Sequence, residues 1–316
     1  MKKVLTLLAL AGMAPHTQAS CGSMMCEINP AWDTQSLTHE HGLRLDLRYS
    51  YSKADVLRAG ADKIDPPPFT GSGEEIENRR TLNQTLIADL DYAINRDWSV
   101  SLQVPVNSRD HAHTVDNLPP ETEAAKYSAL GDIRVSGKYR FTAADHQSGG
   151  GLRFGLKLPS GGTGKEMAPG TPMEASLQPG TGSTDLILGG YAFWNIPDSN
   201  WGGMAQLQSQ KALADRNDYR PGTRVGLDLG LHYAITQDVT GLMQLSYQHR
   251  ARDSGANADP NGSSGGHAVF FTPGLSVGVA PGTHVYGFVQ LPLRQYVNGE
   301  QLTVRWTATV GVGFDL

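Results

Sequence analysis

The chain reads as all-β: a transmembrane antiparallel β-barrel of about twelve strands with both termini in the periplasm. Three observations predict this. Apolar and polar residues alternate through strand after strand. Short turns alternate with long polar loops. Aromatic residues gather at both ends of the strands. In the last strand Leu302, Val304, Trp306, Ala308, Val310, Val312, Phe314 and Leu316 take one face, and Thr303, Arg305, Thr307, Thr309, Gly311, Gly313 and Asp315 the other. The first face suits lipid and the second suits water. A bilayer core offers no hydrogen-bond partners, so a sheet crosses it only when closed on itself.

The strands follow in order, and the residues opposite each lipid face should line a lumen. The first, 41–52, sets Arg44, Asp46 and Arg48 inward, and the second, 80–94, sets Asp89 and Asp91. The third, 97–108, contributes Gln103, and the fourth, 127–142, contributes Asp132, Arg134, Lys138 and Arg140. The fifth, 150–160, carries Arg153 and Lys157; the sixth, 182–195, Asp185; the seventh, 200–211, Gln206 and Gln208. The eighth, 222–236, adds Arg224 and Asp228, and the ninth, 238–250, Gln244. The tenth is 267–280. The eleventh, 283–297, brings Gln290 and Arg294, and the twelfth, 300–316, Arg305. Charges of both signs could pair across a filled interior or select solutes in a water-filled path. Arg294 and Arg305 stand as lone positive charges and are expected to be selectivity groups.

Short connections at 95–97, 143–149, 196–199, 236–238 and 281–282 use turn residues and should face the periplasm. The longer segments 53–79, 109–126, 161–181, 212–221 and 251–266 are rich in Pro, Gly, Asp, Asn and Ser and should be extracellular. The stretch from Lys157 to Asp185 could fold inward and narrow the pore, but an external loop is the favoured expectation. Its GGTGKE sequence, Gly161 to Glu166, is not a phosphate-binding loop, because position 159 is not glycine and Glu166 replaces the Ser or Thr. Tyr92, Trp98, Tyr139, Trp194, Trp201, Tyr233 and Phe314 should form the periplasmic aromatic girdle. Tyr49, Tyr51, Tyr127, Tyr247, Phe271 and Tyr296 should form the outer one. A soluble sandwich has no reason to place aromatics at both strand ends.

Lys2 and Lys3, an apolar run from Val4 to Met13 and small residues near Ala19 and Ser20 read as a secretory signal peptide over 1–20. That run is too short for a membrane helix, which needs roughly 18 apolar residues. Residues 21–40 then form a periplasmic tail, and 41–316 the barrel. The chain should reach the bacterial outer membrane after the signal peptide is removed. A net charge of −5 gives no basic footprint for nucleic acid. Expected partners are outer-membrane lipid, a small-molecule solute and the barrel-assembly machinery, which would read the C-terminal strand. That strand ends on Leu316, with Phe314 two places earlier.

Three stretches together resemble a known family: Leu130 to Val135 with Lys138 and Tyr139, Lys157 to Gly161, and Gln178 to Asp185. They are similar to the outer-membrane β-barrel transporters of the phenol meta-cleavage (MetA) pathway. By motif the resemblance covers the middle third of the chain. It implies a channel or transporter for small organic compounds, aromatic ones among them.

Cys21 and Cys26 flank Met24 and Met25 in the tail. Periplasmic oxidation favours a local disulfide between them. A soft-metal site of copper type, built from Cys21, Met24, Met25 and Cys26 with His39 and His41, is the sharper alternative, and lipidation of Cys21 a third. His111 and His113, beside Asp110 and Asp116 in the second long loop, read as polar surface with a surface metal site as the alternative. His249, Asp253 and Ser254 are the nearest approach to a hydrolytic triad, without a nucleophile motif. The chain is therefore not expected to be an enzyme, and no cofactor is called for. The leading expectation is an outer-membrane channel for small solutes through a charged lumen. The alternative is a closed surface or metal-handling barrel that works through its Cys/Met tail, and an outer-membrane hydrolase ranks last.

Overall fold

The computed structural model describes residues 42–143, 147–214, 218–258 and 262–316. The expectations for the signal peptide, the tail, and the set Cys21, Met24, Met25, Cys26, His39 and His41 lie outside the described residues.

Strands run in chain order as β1 (Gly42–Gly60), β2 (Asp62–Lys63), β3 (Glu75–Ala93), β4 (Trp98–Val115), β5 (Glu121–Leu130), β6 (Arg134–Thr142), β7 (Ser148–Lys157), β8 (Glu166–Ala168) and β9 (Thr171–Pro172). A 3-10 turn at Ala175–Leu177 precedes β10 (Asp185–Asn195), β11 (Trp201–Ala212), β12 (Arg224–Ala234), β13 (Val239–Arg250), β14 (Gly266–Ala280) and β15 (Thr283–Asp315). Among the described residues, the order β15-β14-β13-β12-β11-β10-β7-β6-β4-β3-β1 closes through β1 on β15. All these pairings are antiparallel.

β15 is 33 residues long, yet it is folded on itself. The Asp315 N–H donates to the Gly282 carbonyl at 2.7 Å, and a Cβ on Gly313 would meet the His284 ring. The reversal falls at Asn298 and Gly299, where Gly299 has φ +62, the left-handed conformation that hairpin turns require. One arm pairs with β14 and the other with β1. Counting both arms, eleven elements supply twelve staves, as the alternation predicts. β5 and β6 form one stave between them: β4 pairs with β5 through residues 106–115 and with β6 through 98–103. The break falls at Gly131, Asp132 and Ile133.

The period-two pattern sets what faces lipid. Leu86, Leu90, Val100, Leu102, Leu152, Phe154, Leu207, Leu229, Leu245, Leu291 and Val310 all point outward and are exposed. No soluble domain would leave such a band in water. Trp98, Trp194, Trp201, Tyr92, Tyr139 and Tyr233 edge it at the turn ends, with Tyr49, Tyr247 and Tyr296 at the other edge. Trp98 packs on Tyr139 and Trp201 on Tyr233, with centroids 5.0 and 4.8 Å apart. Tyr127 departs from the expected outer girdle. It is buried inside against Met173 and Leu177. The turns are built as their residues suggest: Asn95 Oδ1 accepts the backbone N–H groups of Asp97 and Trp98, both at 2.9 Å.

The wall is uneven. β7, β10 and β12 have 10, 11 and 11 residues, about what a tilted strand needs to cross the bilayer. β1 and β3 have 19 and β4 has 18, so this side continues outward into stretches expected to be loop. His111 and His113 therefore lie on a strand rather than in a loop, and both are buried on the inner side of this extension. Thr81 Oγ1 lies 2.9 Å from His111 Nδ1, and His111 Nε2 lies 3.1 Å from His113 Nδ1.

Burial holds the pKa of His111 down to about 3, with repulsion from His113 and Arg109 adding to it. The unfolded chain takes up this proton near pH 6.5, so stability is complete above that value and falls progressively as pH drops toward 3. Heat-induced unfolding measured from pH 7 to pH 4 should show the loss, and His111→Gln should flatten the profile.

Candidate functional site

The barrel encloses a cavity of about 320 Å³, capped on the extracellular side by Ala175, Ser176, Gln178, Pro179, Gly180 and Thr181. These residues belong to the segment between β7 and β10. The favoured expectation of an external loop is thus corrected: the segment folds into the barrel as a strap. It can do so because β7 and β10 end early, and because β5 offers an apolar inner face. Met173 and Leu177 bury against Tyr127, with Ala125, Ala129 and Met167 around them. The Tyr127 hydroxyl donates to the Leu177 carbonyl, Arg109 Nη1 to the Ser176 carbonyl at 3.0 Å, and Asn107 Nδ2 to the Pro179 carbonyl at 3.1 Å.

Both roots of the strap are held by one carboxylate. Asp132 Oδ1 accepts the Gly161 N–H at 3.0 Å, and Oδ2 accepts the Thr181 N–H at 2.9 Å and the Thr181 hydroxyl at 3.0 Å. Lys157 Nζ completes the knot, 2.9 Å from Asp132 and 3.3 Å from Asp185. It also donates to Thr181 Oγ1. Lys157 and Asp132 have side chains only 3% and 6% exposed, so neither charge can be left alone without a large desolvation cost. Where the roots cross, a Cβ on Gly180 would sit 2.5 Å from the Gly161 carbonyl, and one on Gly161 2.6 Å from Gly180 Cα. Only glycines fit. Ser160 Oγ ties the same place to the wall, accepting the Ile133 N–H at 2.7 Å and donating to the Gly131 carbonyl at 3.0 Å. The three motif stretches of the sequence therefore meet in space.

Nine cationic side chains and five carboxylates line the cavity. Of the residues singled out from sequence, Arg44, Asp46, Arg48, Asp89, Asp91, Asp132, Arg134, Lys138, Arg153, Lys157, Arg224 and Asp228 are all there. Asp185 stands directly behind Lys157 and also accepts from Ser183 and Gln210, both at 2.6 Å. Much of the charge is cross-linked along the wall. Arg48 reaches Asp46 at 2.9 Å and Asp89 at 3.5 Å, and Lys138 reaches Asp91 at 2.6 Å. Gln103 bridges Asp89 and Arg134, and Tyr286 donates to Asp46 at 2.9 Å. Arg44 lies 3.1 Å from His284.

Arg294 and Arg305 do not join them. Arg294 is the register partner of Val269, itself partnered with exposed Tyr247, so it shares the outward face; a bulge in β15 turns it there. Arg305 sits at a second irregularity against β1 and pairs with Asp55 at 3.0 Å, its side chain 66% exposed. Arg140 bonds the Arg96 carbonyl at an exposed turn. At Arg294 and Arg305 the period of two held locally, but bulges shifted its phase, whereas Arg140 keeps its phase and lies at the turn end of β6. Asp253 binds Arg250 at 2.6 Å and accepts from Tyr219 at 2.8 Å, which commits it to a loop clasp.

Arg109 and Arg250 also line the cavity, and neither was identified from sequence. Arg109 continues the inward row of Gln103 and Asn107, a signal the sequence does contain. It was lost because the outward partners Ser108 and Asp110 are polar too once the strand leaves the bilayer.

Breaking the knot should be costly. Asp132→Ala leaves Lys157 paired with Asp185 at 3.3 Å but strips the Gly161 and Thr181 N–H groups of their acceptor, and should destabilise the barrel by about 1–3 kcal/mol, measured by heat-modifiable migration. Gly180→Ala, whose Cβ would press on both the Gly161 carbonyl and Asp132 Oδ1, should displace the strap, read as faster proteolysis within 158–184.

No family model matches the chain, and no curated protein matches it in sequence. Solved structures do match it in fold. An outer-membrane channel from Pseudomonas putida F1 aligns with a TM-score of 0.69 at 11% identity, covering 92% of this chain and 100% of that one. The NanC porin aligns at 0.49 with 14% identity over 86% and 100%, and the toluene transporter TbuX of Ralstonia pickettii at 0.44 with 10% identity over 98% and 100%. At such identities the likeness speaks for architecture alone: this chain has the closed antiparallel β-barrel fold of the Pseudomonas putida outer-membrane protein.

Proposed function

We propose that the protein is a bacterial outer-membrane channel that passes small organic anions, selected electrostatically where the strap narrows the lumen. The observation that carries this reading is a pair of lumen cations. Arg109 donates to Asn83 Oδ1 at 2.7 Å and to the Ser176 carbonyl, and Arg153 donates to Ser136 Oγ at 3.3 and 3.2 Å. Neither has a carboxylate partner among the described residues, whereas Arg48, Lys138, Lys157 and Arg250 do. Uncompensated guanidinium groups beside a constriction attract and bind carboxylates. Apolar Ile87, Pro105, Ile187 and Pro179 share the lining and would accommodate a hydrocarbon body.

A small aromatic carboxylate combines these two features. That solute class agrees with the resemblance to the transporters of the phenol meta-cleavage pathway, to which we assign the chain on its three motif stretches. Passage would be down a gradient, without covalent chemistry.

Salt-gradient reversal potentials of the refolded barrel in a planar bilayer test this. Wild type should prefer anions, with benzoate reducing chloride current. Arg109→Gln together with Arg153→Gln should lower the anion-to-cation permeability ratio several-fold and abolish the benzoate effect. A folded barrel that prefers cations, or that conducts nothing, would refute the proposal.

A further inference from the structure

We propose that the outer face of the β1–β15 seam is a binding site for the phosphate groups of a glycolipid in the outer leaflet. The two arginines that bulges turn out of the lumen stand on this face. Arg294 and Arg305 occupy the two arms of β15, four residues before and six after the Asn298–Gly299 reversal. Their heights therefore differ by about two residues, roughly 7 Å. Lys53 on β1 is the third cation of the strip.

One carboxylate is set among them. Asp55 takes both Lys53, at 2.7 Å, and Arg305, at 3.0 Å, and Glu300 lies beyond, at the turn. Arg294 is exposed and has no carboxylate partner among the described residues. The strip thus carries an excess of positive charge on a surface that faces lipid.

Its depth identifies the ligand. Immediately on the membrane side of Arg294 lie Leu291 and Leu293, 40% and 63% exposed, where acyl chains would contact the wall. Around it stand girdle aromatics: Tyr296 stacked on His267 with centroids 4.9 Å apart, and Trp306 against Tyr51 at 5.6 Å. Such rings mark the headgroup layer. An arginine facing hydrocarbon is costly at the bilayer midplane and tolerated at this depth, where its long stem reaches the interface. There the anion that meets a guanidinium fork is a lipid phosphate, accepted through two parallel hydrogen bonds. A solute in the lumen cannot reach this face, so the site is independent of the channel reading.

The test uses the full mature barrel refolded in three kinds of vesicle: phosphatidylcholine alone, phosphatidylcholine with bisphosphorylated lipid A, and phosphatidylcholine with the same lipid A dephosphorylated. The readout is the temperature of the heat-modifiable shift. A ligand held by the folded state raises that temperature, so the phosphorylated lipid should stabilise wild type by several degrees over the dephosphorylated one. Arg294→Gln, which leaves the Arg305–Asp55 pair intact, should shrink the difference. Arg294→Gln with Arg305→Gln should remove it, while melting in phosphatidylcholine alone stays unchanged for the single variant. Indifference of wild type to the lipid phosphates, or a full difference retained in the single and double variants, would overturn the proposal. So would inorganic phosphate reproducing the whole effect in phosphatidylcholine, since the site would then bind the free ion.

Discussion

The buried pair of Asp132 and Lys157 is the constraint on which the shape of the lumen depends. A fourth stave interrupted at Gly131 to Ile133 would be a weak place in any barrel, because its backbone groups lose their ladder partners there. Here the interruption lets Asp132 turn its carboxylate to the strap instead of leaving it in a lattice of wall charges. The same oxygens then satisfy Gly161, Thr181 and Lys157. The gap in the sheet and the obstruction of the lumen are thus one arrangement. Its apolar half, Met173 and Leu177 under Tyr127, supplies burial, while the polar half supplies direction.

The interior follows a second rule. A charge inside a narrow barrel is tolerated when its neighbours on adjacent strands complete it, and the ladder from Arg48 through Asp89 and Gln103 to Arg134 does this. Such ladders stiffen the wall and contribute little field to the lumen. In the proposed channel, selectivity then falls to the few groups whose partners are neutral, Arg109 and Arg153, one beneath the strap and one on the neighbouring wall. The sum of charges says less about such a path than the placement of its unneutralised members.

Much of this was legible in the sequence wherever the bilayer imposed its alternation. Twelve staves, their turns and the inward positions of Asp46, Asp89 and Arg153 all follow from a period of two. Legibility failed where the bilayer's influence ended. Beyond the girdle both faces of β4 are polar, so Arg109, His111 and His113 looked like loop. Bulges reversed the phase at Arg294 and Arg305, and no local pattern announces a bulge. The strap's direction depended on tertiary contact between Leu177 and Tyr127, which sequence spacing cannot express, although its glycines and its Asp, Lys and Thr residues were visible as motifs.

The closure of β1 on β15 sets the order in which such a chain can assemble. Every other barrel pairing joins staves that are neighbours in the chain, separated at most by a loop, a short strand or the strap, and can form by short-range zippering. The contact of Arg44 with Asp315 spans almost the whole described chain. Its loop-closure entropy is met last, after the rest of the sheet has curled to bring the edges together. Until then two unpaired edges are open to the bilayer, so the rate of insertion should be governed by this single seam.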